Sequence, residues 1–215
     1  MSETPNLQLK YKIIVKDKDG KTIKEYERDA RSFVKNFLTA LYGSLIEQYI
    51  SLVDVNGNTI SNTGIIGTWS DWCNYGPWCN GGSMTVRSLG ILLLNAPEGD
   101  DTYGIVVGTG TTPVTPDDYK LEQQIPHGSS DNQLYYQKTS IGAPNVSNGK
   151  VKISISRVFR NDGSVDVNIN EIGLQAEVMD SSGATYKVLI VRDVLPQAEV
   201  VPGGGVLIVT YSIIA

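Results

Sequence analysis

The last third of the chain, residues 151–215, alternates apolar and polar side chains almost to the final residue. The apolar positions of its first run are Val151, Ile153, Ile155 and Phe159, and the polar positions between them include Lys152, Ser154 and Ser156. Strand side chains point alternately to opposite faces, so this spacing predicts a strand with one face in a core. The Asn-Asp-Gly-Ser run at 161–164 then leads to a second alternating run and predicts a β-hairpin.

Similar patterns occupy the first part of the chain. Residues 7–17 alternate as a strand, a charged turn follows at 16–20, and residues 22–26 read as the returning strand. A further strand pattern covers 49–59, with Asn-Gly at 56–57 as its hairpin turn.

One helix is predicted at about residues 30–45. Phe33, Phe37, Leu41 and Leu45 recur at every fourth position, with Val34, Leu38 and Tyr42 alongside, and predict an apolar stripe at helical period. Asp29 is its predicted N-cap residue. Together these patterns predict a mainly β fold, a single antiparallel β-sandwich domain of the jelly-roll-like type over 1–215 with one N-terminal α-helix.

Residues 61–82 predict an irregular loop that interrupts the sheet. The loop holds the three tryptophans and both cysteines, with Trp69, Trp72, Cys73, Tyr75, Trp78 and Cys79 lying close together. Tyr and Trp are enriched at the centres of protein interfaces, so the aromatic residues are a candidate contact surface or a cap on the end of the sandwich. The two cysteines can form a small disulfide loop or remain as reduced, partly buried thiols.

Charge and hydropathy exclude some partners. The formal net charge is −5 and the pI is about 4.9, which argues against binding to nucleic acid or to an anionic membrane surface. No run approaches the roughly 20 apolar residues of a membrane span. The polar N-terminus predicts synthesis in a cytoplasm without a secretory signal, with later release inside a particle or extracellular assembly as an open route.

Residues suited to catalysis are few. His127 is the single histidine and lies in a Pro-His-Gly turn, so a catalytic triad or a three-ligand metal site is not expected. The Gly-Thr-Gly-Thr-Thr-Pro run at 108–113 resembles a phosphate loop, but prolines rather than a helix follow it. Two acidic loops, Glu98/Asp100/Asp101 and Asp117/Asp118, offer oxygen ligands for Ca²⁺ or are solvated surface loops. We therefore predict that the protein is not an enzyme and has no cofactor.

Arg192 and Asp193 interrupt the apolar run from Val188 to Leu195. An unpaired buried charge is costly, so both residues should find partners or emerge at an interface if this strand is central.

Several segments resemble, in their order, a group of virion structural proteins of tailed viruses. They are GIVVGTGTTPVTPDDYKLEQQIPHG at 104–128, VFRNDGSVDVNINEIGL at 158–174, LIVRDVL at 189–195, VLIVTYSI at 206–213 and, earlier, ARSFVKNFLTALYG at 30–43. The resemblance covers roughly residues 28–45 and 103–214 and does not include the aromatic loop. It implies a shell, tail or appendage component without enzymatic activity.

The leading prediction is a self-assembling structural protein of a virus particle, whose partners are copies of itself and other virion proteins. Its subunits would join through sheet edges and terminal strands. The candidate interface residues are Trp69, Trp72, Tyr75, Trp78, Tyr211 and Ile213. The alternatives are an extracellular filament or pilus-like subunit that polymerises by strand donation, and a carbohydrate- or receptor-binding β-sandwich that uses the tryptophans for stacking.

Overall fold

The structure of the protein is a computed structural model. The residues that it describes are 7–30, 32–46, 49–63, 92–147, 149–180 and 182–215. The predicted aromatic loop at 61–82, with Cys73 and Cys79, therefore lies almost entirely outside the described residues.

Twelve strands and one helix form along the described residues. In chain order they are β1 Gln8–Lys16, β2 Thr22–Ala30, α1 Lys35–Ile46, β3 Ile50–Val53, β4 Thr59–Thr63, β5 Gly104–Gly108, β6 Tyr135–Tyr136, β7 Ser140–Ile141, β8 Asn145–Ser147, β9 Lys150–Arg160, β10 Val167–Met179, β11 Thr185–Val201 and β12 Val206–Ile214. The prediction of a mainly β fold with antiparallel sheets and one N-terminal helix is confirmed.

The larger sheet has seven strands among the described residues, in the order β2-β1-β12-β9-β6, with β7 and β8 also paired to β9. The C-terminal strand β12 lies between β1 and β9, so that Tyr211 is opposite Tyr11 on one side and Ile155 on the other. Both terminal strands are thus internal to the sheet. Neither strand is a free edge of the sheet, because each already has a hydrogen-bonded neighbour on both sides.

The smaller sheets are β11-β10-β5 and the β3-β4 hairpin. The outer edge of β11 is occupied by the segment that leads into α1. The Val34 N–H donates to the Ile190 carbonyl at 3.1 Å, and the Arg192 N–H donates to the Ser32 carbonyl at 3.1 Å. This pairing places the start of the helix against the middle of β11.

Apolar residues of the two larger sheets share one buried cluster. Ile13 and Val209 come from the seven-stranded sheet, Ile172 and Val191 come from the three-stranded sheet, and all four are fully buried. Along β1 the predicted alternation is confirmed, since its odd-numbered residues from Leu9 to Val15 are buried. Burial of these apolar side chains away from water is the main source of the stability of the fold.

Two predictions about local structure are corrected. The turn at 161–164 does not close a hairpin, because β9 pairs with β12 whereas β10 pairs with β11 and β5. The Asn161 side chain instead donates to the carbonyl oxygens of Val165 (2.8 Å) and Val201 (3.0 Å), which stabilises a crossing between sheets. The helix begins at Lys35 rather than near 30, and Asp29, its predicted N-cap, lies in β2.

Candidate functional site

One face of α1 is fixed against the sheets by close contacts. A Cβ added to Gly43 would come within 2.6 Å of the Ile50 side chain, so the helix approaches β3 at the distance that glycine permits. The buried Asn36 side chain donates to the carbonyl oxygens of Val53 (2.8 Å) and Leu189 (3.2 Å) and accepts from the Val53 N–H (3.0 Å). These contacts determine which side of α1 faces away from the protein.

The opposite face of α1 is apolar and exposed. Leu38, Leu41, Tyr42 and Leu45 are 60%, 43%, 58% and 75% exposed, respectively, and we call these four side chains the α1 stripe. Their spacing places them on one side of a helix, as neighbouring turns require. Leu41 and Leu45 of the predicted apolar stripe therefore lie at the surface. Contiguous apolar patches of this kind on a protein surface mark interaction sites more often than scattered exposed residues do.

The stripe continues into a groove at the start of the helix. This groove has a volume of about 410 Å³ and is bordered by Phe33, Leu38, Tyr42 and Pro116. The Lys35 N–H donates to the Pro116 carbonyl at 2.8 Å, which joins α1 to the loop that follows β5. The position of that loop therefore determines the shape of the groove.

A buried carboxylate holds the loop that follows β5. Glu171, which is fully buried, accepts through Oε1 from the N–H groups of Gly110 (3.1 Å) and Gln123 (2.8 Å). Its Oε2 accepts from the Glu122 N–H (3.1 Å) and from Nε of Arg192 (2.8 Å). Both oxygens are thus used twice, and the loop closes over the outer face of β10.

Arg192 links this carboxylate to the far end of the loop. Its guanidinium donates to Oδ2 of Asp118 at 2.8 Å and to the Thr112 carbonyl at 3.1 Å, and the residue is 2% exposed. The neighbouring Asp193 is also buried and accepts from the hydroxyls of Ser32 (2.8 Å) and Tyr211 (3.0 Å). In the order β11-β10-β5 the strand is an outer one rather than a central one, yet both charges are buried and both have partners.

The protonation states of this ion cluster support its role in holding the loop. Burial would raise the pKa of the Asp118 carboxyl, but hydrogen bonds from Arg192 and Thr115 outweigh it and hold the pKa below its usual value. Burial likewise opposes the charge on Arg192, yet the hydrogen bonds to Asp118 and Glu171 raise the pKa of the guanidinium. Asp118 and Arg192 therefore both carry their charges at neutral pH.

A second buried cation, Arg157 of β9, binds backbone carbonyl oxygens of several loops and strands. It is 1% exposed and donates to five carbonyl oxygens, those of Pro97, Asp100, Tyr103, Ile105 and Gln137. Burial lowers the pKa of its guanidinium to about 10. The Tyr136 ring lies 4.8 Å from the guanidinium carbon and adds a cation–π contact. This residue organises the 97–105 segment rather than presenting its charge at the surface.

His127 has a structural environment. Its backbone N–H donates to Oδ2 of Asp101 at 2.6 Å, and its side-chain Nδ1 accepts from the Tyr136 backbone N–H at 3.1 Å. The imidazole also lies 4.8 Å from the Tyr135 ring, measured between centroids. Because the Nδ1 lone pair already binds the backbone, that atom is not placed to take a proton from a nucleophile.

The acidic loops proposed for Ca²⁺ have other hydrogen-bond partners. Asp100 accepts from the N–H and the hydroxyl of Thr102 (2.8 and 2.6 Å), while Asp101 binds His127 and Asp118 binds Arg192. In the part of the chain that the structure describes, no group of three or more His, Cys, Asp or Glu side chains is placed to hold a metal ion.

The structure places two of the six predicted interface residues. Tyr211 is fully buried, where it donates to Asp193 and lies edge-on to Tyr11, with ring centroids 6.5 Å apart. Its burial and the nearby Asp193 carboxylate raise the pKa of its hydroxyl well above the usual value. Ile213 is partly buried against the core cluster. Tyr211 is therefore a core residue of this chain and not part of its surface.

The remaining four interface candidates lie outside the described residues. These are Trp69, Trp72, Tyr75 and Trp78, and the possible disulfide of Cys73 and Cys79 lies there too. Their roles in contact or in sugar stacking stay predictions.

We compared the chain with families, curated proteins and solved structures. No family model, curated protein or solved structure matches the chain. Across the described residues, no helix combines the length and the apolar character needed to cross a membrane.

Proposed function

We propose that this protein is a non-enzymatic structural protein that assembles with further protein subunits, with a virus particle as its setting. The observation that carries the proposal is the exposed α1 stripe, whose four large apolar side chains face away from the chain's own core. An exposed apolar face raises the free energy of an isolated subunit in water, and contact with a second protein surface relieves that cost.

The arrangement of the buried charges supports a structural role. Glu171 and Arg192 neutralise each other, and Arg157 is surrounded by carbonyl oxygens. Groups with perturbed protonation in catalytic sites usually face a cleft in which a substrate can reach them. Here the same groups are saturated by contacts that hold loops in place.

In this proposal the two larger sheets form a sandwich of the jelly-roll type. Support comes from hydrogen bonds that join them across the core, in addition to the shared apolar cluster. The Tyr211 hydroxyl of β12 binds Asp193 of β11, and Glu199 of β11 binds Lys24 (2.8 Å) and the Tyr26 hydroxyl (2.9 Å) of β2.

The virion setting rests on the resemblance in sequence, and the structure supplies physical reasons for the motif. Gly108 and Gly110 leave no space for a side chain, since an added Cβ would lie 2.6 and 2.5 Å, respectively, from Oε1 of Glu171. The threonines and aspartates that follow satisfy one another, as when Thr115 donates to Asp118 through its N–H (3.0 Å) and hydroxyl (2.8 Å). The motif thus encodes a rigid loop next to the α1 stripe.

Polymerisation by strand donation has less support. Both terminal strands are internal, and β2, the edge strand of this sheet among the described residues, carries charges on both faces. If two copies of β2 paired antiparallel about Tyr26, Glu25 would lie opposite Glu27 and Lys24 opposite Arg28. Like charges directly opposite each other destabilise a strand pair, so self-pairing of β2 in this register is disfavoured.

The experiment that tests the proposal is a measurement of assembly by the full chain. Light scattering from about 1 µM to 1 mM, at several salt concentrations and temperatures, should show species larger than the monomer, in accordance with the weak contacts expected for modest interfaces. Negative-stain images of the concentrated sample would then distinguish a tube, a shell or a fibre. A strictly monomeric protein under all these conditions would overturn the assembly role.

A further inference from the structure

We propose that the α1 stripe is the contact through which two copies of this chain pair, with their helices antiparallel around a two-fold axis. This inference rests on the proposed assembly role and specifies its first step. It is carried by three properties of the stripe: its internal symmetry, its lack of charge and its area.

The stripe is symmetric about the point between Leu41 and Tyr42. Leu38 and Leu45 lie at equal distances from that point along the chain. When two antiparallel helices meet about a two-fold axis at this point, Leu38 of each copy faces Leu45 of the other, and each Leu41 faces a Tyr42. A two-fold contact requires this kind of self-complementary surface.

Charge favours a second copy over a charged partner. Lys35 is the one charged residue in the α1 sequence, and it occupies the first helical position. A two-fold contact brings symmetric residues together, so an uncharged stripe avoids repulsion between like charges. In the antiparallel arrangement Lys35 approaches the C-terminal end of the partner helix, where the helix dipole attracts a cation.

The exposed area indicates a weak pair. The exposed fractions of the four side chains amount to roughly 450 Å² per copy, hence about 900 Å² in the pair. Phe33, which borders the adjoining groove, extends the surface toward the size at which specific contacts form. We therefore expect a reversible dimer that dissociates at micromolar or higher concentration.

The test is sedimentation velocity of the full chain at about 5 to 500 µM, a range that spans weak association. The wild type should change from monomer to dimer over this range. Two double variants, one with Leu38→Glu and Leu45→Glu and one with Leu38→Lys and Leu45→Lys, should each remain monomeric, because like charges then meet across the axis. An equimolar mixture of the two should form a heterodimer, because opposite charges now face each other.

A matched control separates this contact from general surface hydrophobicity. Val146 is 70% exposed in β8, so Val146→Glu removes an equally exposed apolar side chain elsewhere and should leave the dimer unchanged. Circular dichroism and thermal melting in dilute solution should show that every variant folds like the wild type.

Three results would overturn the inference. The first is a wild type that remains monomeric at 500 µM. If the double variants then also melt at lower temperature in dilute solution, another part of the same chain covers the stripe. The second is dimerisation of the double variants as strong as that of the wild type. The third is larger assemblies that form equally well from wild type and double variants, a result that keeps the assembly role but removes the stripe from it.

Discussion

Replacement of Glu171 by Gln tests whether the buried ion cluster holds the loop that follows β5. In the wild type the carboxylate accepts four hydrogen bonds, two at each oxygen. Three come from backbone N–H groups and the fourth comes from Arg192. A glutamine has one oxygen and one NH₂ group. Whichever way the amide is turned, its NH₂ group faces two donors and cannot accept from either.

The size of the effect follows from these contacts. Two hydrogen bonds to a charged acceptor are lost, each contributing about 1.5–3 kcal/mol. Arg192 loses one of its two close carboxylate partners while it remains buried, although Asp118 still binds it. Breaking a buried pair typically costs about 3–5 kcal/mol, and we expect Glu171→Gln to lower the free energy of unfolding by that amount. For a chain of 215 residues this corresponds to a decrease in Tm of about 10 °C.

Urea unfolding and calorimetry measure this loss, and Glu177→Gln provides the matched control. Glu177 lies on the same strand and makes an ion pair with Lys187, but both side chains are partly exposed, at 25% and 22%. A partly exposed pair contributes about 0–1 kcal/mol, so the same chemical change should have little effect there. Hydrogen exchange should also show loss of protection at the N–H groups of Gly110, Glu122 and Gln123.

The reasoning is refuted if Glu171→Gln lies within 1 kcal/mol of the wild type, or no lower than Glu177→Gln. It is equally refuted if stability falls while the three loop N–H groups keep their protection. In that case the destabilisation would have a source other than the contacts of the carboxylate.

Three further substitutions test the loop and the buried cations. Gly110→Ala should lower the free energy of unfolding by about 1–3 kcal/mol, because the added methyl group would overlap Glu122 and Glu171. Gly142→Ala is the control and should be tolerated, since its Cβ would meet its nearest atom at 3.7 Å. Equal urea midpoints for the two variants would contradict this prediction. Arg157→Lys should cost about 3 kcal/mol or more since an ammonium cannot serve five carbonyl oxygens, while Arg160→Lys at a 45% exposed side chain should be nearly neutral in the same melts. Hydrogen bonds hold the pKa of Asp118 below its usual value despite burial. The charged carboxylate therefore stabilises the fold at pH values above the pKa of the unfolded state, and this stabilisation is lost as the pH falls through the pKa of the folded state. Urea titrations from pH 7 down to pH 3 should therefore show a steeper loss for the wild type than for Asp118→Asn, and parallel curves would exclude the effect.

Local signals in the sequence predicted local structure well. The charged turn at 16–20 and the Asn-Gly turn at 56–57 each connect two paired strands, as expected for tight turns with positive φ at glycine. The turn at 161–164 was recognised as a turn, but the pairing of β9 with β12 is decided by contacts between distant parts of the chain. Turn chemistry alone carries no information about such contacts.

The helix shows a different limit of sequence patterns. The helical period predicts α1 correctly, yet it does not determine which face is buried when both faces carry apolar residues. The buried face is formed by small or polar residues, among them Asn36, Ala40 and Gly43, which allow a close approach to β3. The larger residues therefore face outward, and the candidate site could not be found from hydrophobicity alone.

The alternation of side chains along a strand identifies one buried charge from the sequence. Arg157 shares the parity of Ile155 and Phe159, so the alternation of β9 places it on the apolar face. The sequence also predicted that Arg192 needs a partner, because it is a charge within an apolar run. The identity of its partner was not, because Glu171 meets Arg192 through the pairing of β10 with β11.

The position of the terminal strands changes where assembly should be sought. The alternation that reaches almost to Ala215 indicates a strand with one buried face, and it is equally compatible with an edge strand and a central strand. In the structure β12 is central and β1 lies beside it, so removal of either would open the core rather than free a joint. Within the part of the chain that the structure describes, β2 forms the edge of this sheet and is charged on both faces, which opposes pairing with another sheet. Among the surfaces that the structure describes, the α1 stripe combines exposure, apolar character and internal symmetry, and these are the properties that contact between copies requires.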